Sequence, residues 1–134
     1  MSFTLESALS FEGSTGPYAQ YTFARTCSIL EKAKSEGISF TGGGKITSAE
    51  EGDVIRCLAK FPERVAAAVS EYEPSNITRY IIDLCTAFNR FYHNCPIMTA
   101  EGEEKVMRLR ITAAVNTVLK SALHLICMRT PEKI

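Results

Sequence analysis

Aromatic and basic side chains share one face of a helix predicted near the start of the sequence. Tyr18, Tyr21, Thr22 and Arg25 lie three or four residues apart, a spacing that places side chains on the same side of a helix. Flat rings stack on unpaired bases and a guanidinium binds phosphate, so this face has the chemistry that a single-stranded RNA loop needs. The alternative is packing, because a helical tyrosine is commonly half-buried with its hydroxyl at the rim of the core.

A second cluster of stacking rings and polar donors ends another predicted helix. It is the run Asn89-Arg90-Phe91-Tyr92-His93-Asn94, which combines amide and imidazole donors with aromatic rings. The apolar stripe of that helix is Ile77, Ile81, Leu84, Phe88, Phe91 and Cys95, and we assign Phe88 and Phe91 to the core. Further along, Arg108 and Arg110 are typical of a solvated helix face rather than of a phosphate site.

The residues that could support catalysis do not form a recognisable set. Gly42-Gly43-Gly44-Lys45 lacks the glycine spacing and the Ser or Thr that a phosphate-binding loop requires. His93 and Cys95 have no second pair at metal-ligand spacing, and His124 lies on a different predicted helix. The paired glutamates at 50–51 and 103–104 are interpreted as negative charge at helix N-termini. From the residues alone, the chain is a binding module without a metal or a catalytic site.

Five helices are needed to position these clusters, and together they predict an all-α bundle. Capping residues, Pro and Gly positions and apolar spacings of three and four residues define the helices. The run Ser48-Ala49-Glu50-Glu51 is a capping box, in which the Ser48 side chain accepts from the Glu51 amide and Glu51 reaches back to the Ser48 amide. The apolar stripe predicted for the third helix is Val65, Ala66, Val69 and Tyr72. No segment alternates with period two. The predicted helices cover about 17–36, 48–60, 62–72, 75–96 and 102–126.

Composition and charge narrow the class of protein further. The chain has 134 residues, 46% of them hydrophobic, which is enough for one domain with its own core. Its charge is zero overall, but residues 1–74 hold 7 basic and 10 acidic side chains and residues 75–134 hold 8 and 5. The zero net charge is therefore the sum of an acidic first part and a basic second part.

The sequence also favours a cytoplasmic location. Its longest apolar runs, 65–69 and 122–127, are far shorter than the roughly 20 residues of a membrane-spanning helix, so no membrane partner is expected. The first residues lack the pattern of a secretory signal. Five cysteines at irregular spacing are typical of reduced thiols rather than of a disulfide framework.

Several longer motifs, in order along nearly the whole chain, resemble the arginyl-tRNA synthetase family. The segment Leu9-Ser10-Phe11-Glu12-Gly13-Ser14-Thr15-Gly16-Pro17-Tyr18 is similar to the one that joins that family's catalytic domain to its helical C-terminal domain. The body of that anticodon-binding (DALR-type) domain is resembled by Glu73-Pro74, Arg79-Tyr80, Asp83-Leu84 and the run 87–96. Its last helix and terminus are resembled by Val118-Leu119-Lys120 and Pro131-Glu132-Lys133-Ile134.

The resemblance implies a helical bundle that contacts the anticodon arm of the arginine tRNA. Residues 1–16 would be a joining segment and residues 17–134 a single domain. Carried over from the family, the tRNA-binding residues would be Tyr18, Tyr21, Arg25, Tyr92 and Ile134. The resemblance further implies that ATP and arginine bind a separate class I catalytic domain of the parent enzyme, so no cofactor is expected on this chain.

The sequence departs from the family in two places. The His-Ile-Gly-His-like and Lys-Met-Ser-Lys-Ser-like motifs of the class I catalytic domain have no counterpart here, so the 134-residue chain is not expected to aminoacylate by itself. Residues 1–5 also differ from the family, which is consistent with Met1 beginning an excised fragment. The alternative is a stand-alone helical module, derived from such a domain, that binds RNA or protein.

Overall fold

The computed structural model describes residues 16–40, 44–73 and 75–126, and these residues form five helices. They are α1 (Gly16–Ser35), α2 (Ala49–Ala59), α3 (Phe61–Glu71), α4 (Ser75–Asn94) and α5 (Gly102–Leu125). No strand occurs in this part of the chain, so the all-α prediction is confirmed. Ile134 and almost all of the predicted joining segment, residues 1–15, lie outside the described residues.

Helix α1 begins and ends within one residue of the predicted bounds. It ends there because its C-terminus is capped by glycine. Gly37 has a φ of +68°, a left-handed conformation that glycine adopts without a steric penalty. The Gly37 amide donates to the Lys34 carbonyl at 3.0 Å, and the Ile38 amide donates to the Ala33 carbonyl at 3.0 Å. This pair of hydrogen bonds is the Schellman arrangement, which ends the helix and turns the chain away.

Helix α4 carries the core of the molecule along one continuous stripe. The stripe predicted at spacings of three and four residues is buried throughout, and Phe88 and Phe91 are both fully buried, as predicted. Helix α5 packs against it through Val115, Leu119 and Leu123, which are also fully buried. All five helices contribute to a single apolar cluster, with Val54 from α2 and Ala68 from α3, so they hold each other in a fixed orientation.

The apolar stripe of α3 differs from the prediction. Ala66, Val69 and Tyr72 were expected to face the core with Val65, yet all three are exposed, Val69 and Tyr72 by 70% and 90%. The structure instead packs Phe61, Val65 and Ala68 against the other helices. Both sets have helical spacing, and the sequence does not show which one meets the neighbouring helix.

The prediction for Arg108 was wrong, because its side chain is buried. Its Nε donates to Oε1 of Glu51 at 3.1 Å, and its Nη1 donates to the Pro96 carbonyl at 2.6 Å. Glu51 is itself fully buried, so this carboxylate is more than helix N-terminal charge. The pair joins α2 to α5 and to the turn after α4, whereas Arg110 is exposed as expected.

The capping box of α2 is confirmed in one half only. The hydroxyl of Ser48 accepts a hydrogen bond from the Glu51 amide at 3.3 Å, as predicted. The Glu51 carboxylate was expected to reach the Ser48 amide, but it accepts from the Thr47 amide at 3.2 Å instead. The other carboxylate oxygen of Glu51, Oε1, accepts from Arg108.

Cys57, Cys85 and Cys95 are free thiols, and the Cys27 sulfur accepts a hydrogen bond from Nδ2 of Asn116 at 3.1 Å. Cys85 is fully buried in α4, and burial raises the pKa of its thiol to about 12. Burial also raises the pKa of Tyr80, whose hydroxyl donates to the Cys57 carbonyl at 2.8 Å. These groups stay protonated near neutral pH and act as packing residues. None of the helices in this part of the chain is long and apolar enough to cross a membrane.

Candidate nucleic-acid interface

Packing of α1 against α4 brings the two predicted clusters onto one surface. Arg25 of α1 lies between two tyrosine rings: its guanidinium carbon is 4.4 Å from the ring centroid of Tyr92 and 5.4 Å from that of Tyr21. Tyr21 is on the same helix, one turn earlier, and Tyr92 is on α4. A guanidinium over an aromatic ring is attracted by the negative face of the ring, so the three side chains form one stacked unit.

Asn89 connects Arg25 to Tyr18 and fixes the register between the two helices. Its Oδ1 accepts a hydrogen bond from Nη1 of Arg25 at 2.7 Å. Its Nδ2 donates to the Tyr18 hydroxyl at 3.0 Å and to the Thr22 hydroxyl at 3.1 Å. One amide thus orients a guanidinium and a tyrosine together. We call Tyr18, Tyr21, Arg25, Asn89 and Tyr92 the tyrosine–arginine face.

Exposure separates the residues of this face that can touch a partner from those that support them. Tyr18, Tyr21 and Tyr92 are 36%, 53% and 37% exposed, so part of each ring is accessible to a ligand. Thr22 was predicted to share the face, but it is fully buried, and its hydroxyl donates to the Tyr18 carbonyl at 2.9 Å. Thr22 therefore contacts Asn89 and the Tyr18 carbonyl from the buried side of the surface.

Tyr92 is anchored to the core and carries the Arg25 guanidinium over its ring, so only part of the ring remains exposed. Its ring stacks on that of the buried Phe88, with centroids 6.4 Å apart and planes 28° apart. The ring of His93 meets it edge-on at 5.6 Å. These contacts keep the Tyr92 ring in place beneath the Arg25 guanidinium without a bound partner.

The arrangement suits recognition rather than bond chemistry. It presents aromatic ring surface and a guanidinium, the groups that stack on bases and donate to phosphate oxygens. Within residues 16–40, 44–73 and 75–126, no group of three or more His, Cys, Asp or Glu side chains could hold a metal ion. The proposed contact of Ile134 falls outside the described residues.

Asn89 was predicted as part of the second cluster, but its hydrogen bonds to Arg25 and Tyr18 at the centre of the surface were not predicted. Asn89 is 64 residues from Arg25 and 71 from Tyr18, so its partners follow from helix packing and not from local spacing. The available signal was the Asn89–Tyr92 spacing of three residues, which puts the amide and the ring on the same side of α4.

The fold and this surface define a class: a bundle of α-helices with an exposed aromatic and basic face. Residues 19–134 match the family model described as the DALR anticodon binding domain. The chain belongs to this family of anticodon-binding domains.

Similar proteins and a solved structure agree with that assignment. Arginine–tRNA ligases of Halothermothrix orenii and Alkaliphilus metalliredigens are 41% and 42% identical over 98% and 100% of this chain. The structure of the Thermus thermophilus arginyl-tRNA synthetase is 31% identical, covers 98% of the chain and superposes with a TM-score of 0.82. The chain spans 23–24% of the length of these three proteins.

Proposed function

We propose that the tyrosine–arginine face binds the anticodon arm of an arginine tRNA, as part of an arginine–tRNA ligase. The observation that carries the proposal is the Arg25 guanidinium held between the rings of Tyr21 and Tyr92 on the surface. Unpaired bases of an anticodon loop can stack on these rings, and the guanidinium can donate to the phosphate between them. Membership of the anticodon-binding family supports the same substrate.

In this proposal, two domains of the parent enzyme have separate roles. Residues 17–134 act as one domain that holds the anticodon arm, while ATP and arginine bind a separate catalytic domain. Tyr18, Tyr21, Arg25 and Tyr92 contact the loop directly, and Ile134 contacts it from the C-terminus. The 134-residue chain alone binds tRNA without attaching arginine to it.

The experiment is a titration of a labelled anticodon stem-loop with the chain at low salt, followed by fluorescence anisotropy. We expect preference for the arginine anticodon over a stem-loop with a scrambled loop. Tyr21→Ala should weaken binding about 5- to 150-fold, the range expected for one base stacked on an aromatic ring. Tyr21→Phe keeps the ring and is the matched control, so its affinity should stay near that of the wild type.

Two results would reject the proposal. One is equal binding of the arginine and scrambled loops by the wild-type chain. The other is an unchanged affinity of Tyr21→Ala together with a large fall in its melting temperature, which would make Tyr21 a packing residue. Circular dichroism of each variant separates loss of fold from loss of contact.

A further inference from the structure

A groove runs beside the tyrosine–arginine face, between the second half of α1 and the turn that joins α4 to α5. Its volume is about 530 Å³, within the usual range for sites that hold a small organic group. The apolar part of its lining comes from Ile29 of α1 and from Ile97 and Met98 of the turn. Ile97 is buried, and the other two are partly buried against the core. The floor of the groove is therefore apolar and fixed.

The rim of the groove is polar and carries positive charge. Lys32, in the last turn of α1, is its basic side chain, and Ser28, His93 and Thr99 supply hydroxyl and imidazole groups. None of the residues that line it is acidic. An apolar floor with a cationic rim matches a flat heterocyclic base joined to a phosphate, because each part of that ligand meets its preferred surroundings.

Tyr92 makes the groove continuous with the tyrosine–arginine face. Its ring lies 4.4 Å beneath the Arg25 guanidinium and also lines the groove. His93, in edge contact with that ring at 5.6 Å, lies on the groove side. A strand with one base stacked at Tyr21 and Tyr92 therefore passes directly to the groove with its next nucleotide.

We propose that this groove is a second nucleotide site, which takes a neighbouring unpaired nucleotide of the same RNA loop. The base lies on Ile29, Ile97 and Met98, and its phosphate is neutralised by Lys32. This inference rests on the proposed function, since the strand enters from the tyrosine–arginine face. Apart from Tyr92, the residues that line the groove are not among the five carried over from the family.

Two kinds of variant test the groove in the 134-residue chain. Ser28→Trp and Thr99→Trp fill it from opposite walls at exposed positions, and each should weaken binding of the stem-loop about 5-fold or more. Lys32→Gln should weaken binding and reduce the salt slope of the affinity by about 0.7 to 1, the loss of one phosphate contact. Lys34→Gln is the matched control, because Lys34 is exposed in the same helical turn but does not line the groove.

Stem-loops with one abasic nucleotide separate the two sites. Removal of one base should have a smaller effect in Tyr21→Ala than in the wild type, and removal of a neighbouring base should have a smaller effect in Ser28→Trp. The expected result is that the effect of removing one base is coupled to Tyr21→Ala and the effect of removing the neighbouring base is coupled to Ser28→Trp. The groove proposal is overturned if Ser28→Trp and Thr99→Trp bind like the wild type, or if Lys32→Gln behaves like Lys34→Gln.

Failure of this inference can be told apart from failure of the proposed function. If coupling to Tyr21 persists and coupling to Ser28 is absent, the groove is empty and the tyrosine–arginine face still binds the loop. If the wild-type chain does not prefer the arginine anticodon, both proposals are rejected.

Discussion

Arg25 is held on the surface by two tyrosine rings and by one hydrogen bond to Asn89. Tyr92 and Tyr21 offer ring faces to its guanidinium, but Asn89 accepts its one oriented hydrogen bond, at 2.7 Å. A long arginine side chain has several rotatable bonds, so an unbound guanidinium loses conformational freedom when it meets a phosphate. Asn89 holds Arg25 in place beforehand and so reduces that loss.

Asn89→Asp tests whether the Arg25 charge meets the RNA at this position, because it keeps the acceptor for Arg25 and adds a negative charge beside it. We expect weaker binding of the anticodon stem-loop and a salt slope reduced by about 1, since the Arg25 charge is neutralised locally. Ser70→Asp adds the same charge on the exposed surface of α3 and is the control. Equal affinities of the two variants would show that the Arg25 guanidinium does not contact a phosphate of the loop.

The short helix α2 is held against α5 by the buried pair of Glu51 and Arg108. Glu51 is fully buried, and the Arg108 side chain is 8% exposed. Both charges have lost most of their water. Arg108 also donates to the Pro96 carbonyl and pairs with Glu104 at 3.1 Å, and the Glu51 carboxylate also accepts hydrogen bonds from Thr47 and Ser48. Arg108 is nevertheless the cation that the buried Glu51 carboxylate contacts. The pair fixes the turn after α4, which carries one wall of the groove.

Arg108→Met should lower the free energy of unfolding by about 3 to 5 kcal/mol, because it leaves the Glu51 carboxylate buried without its cation. Urea denaturation measures this change. Arg56→Met removes an exposed arginine that pairs with Asp53, and it should cost no more than about 1 kcal/mol. A similar small loss in both variants would mean that the Glu51–Arg108 pair is not important for the fold.

The buried thiol of Cys85 makes the stability of α4 depend on pH in alkaline solution. Burial raises its pKa from 9.0 to about 12, so between these values the unfolded chain releases a proton that the folded chain keeps. The contribution of the protonated thiol to the free energy of unfolding is then fully present below pH 9. Above pH 9 it falls by about 1.4 kcal/mol per pH unit for this one group. Tyr80, with its pKa also raised, adds to the fall at higher pH.

The measurement is the free energy of unfolding in urea between pH 8 and 11, at constant ionic strength and with a reducing agent. Cys85→Ala removes the ionising thiol and should give a shallower decline above pH 9 than the wild type. Parallel curves for the two proteins would show that the Cys85 thiol ionises equally in both states.

At the scale of the whole molecule, local signals predicted the elements but not their partners. Caps, the Gly37 stop and the stripe of α4 depend on neighbours within four residues, so they could be read from the sequence. The pairing of Arg108 with Glu51, the exposed side of α3 and the bridge at Asn89 depend on helix packing across long separations. The tyrosine–arginine face was therefore predicted as two clusters, and the structure joins them.

Photocrosslinking tests most directly where the anticodon loop binds on the bundle. Arginine tRNA anticodon stem-loops with 4-thiouridine at single loop positions are crosslinked to the chain, and the modified peptides are identified by mass spectrometry. We predict crosslinks to the α1 peptide that contains Tyr18 and Tyr21 and to the α4 peptide that contains Tyr92. Crosslinks confined to α2 and α3, on other surfaces of the bundle, would contradict the assignment of the anticodon arm to the tyrosine–arginine face.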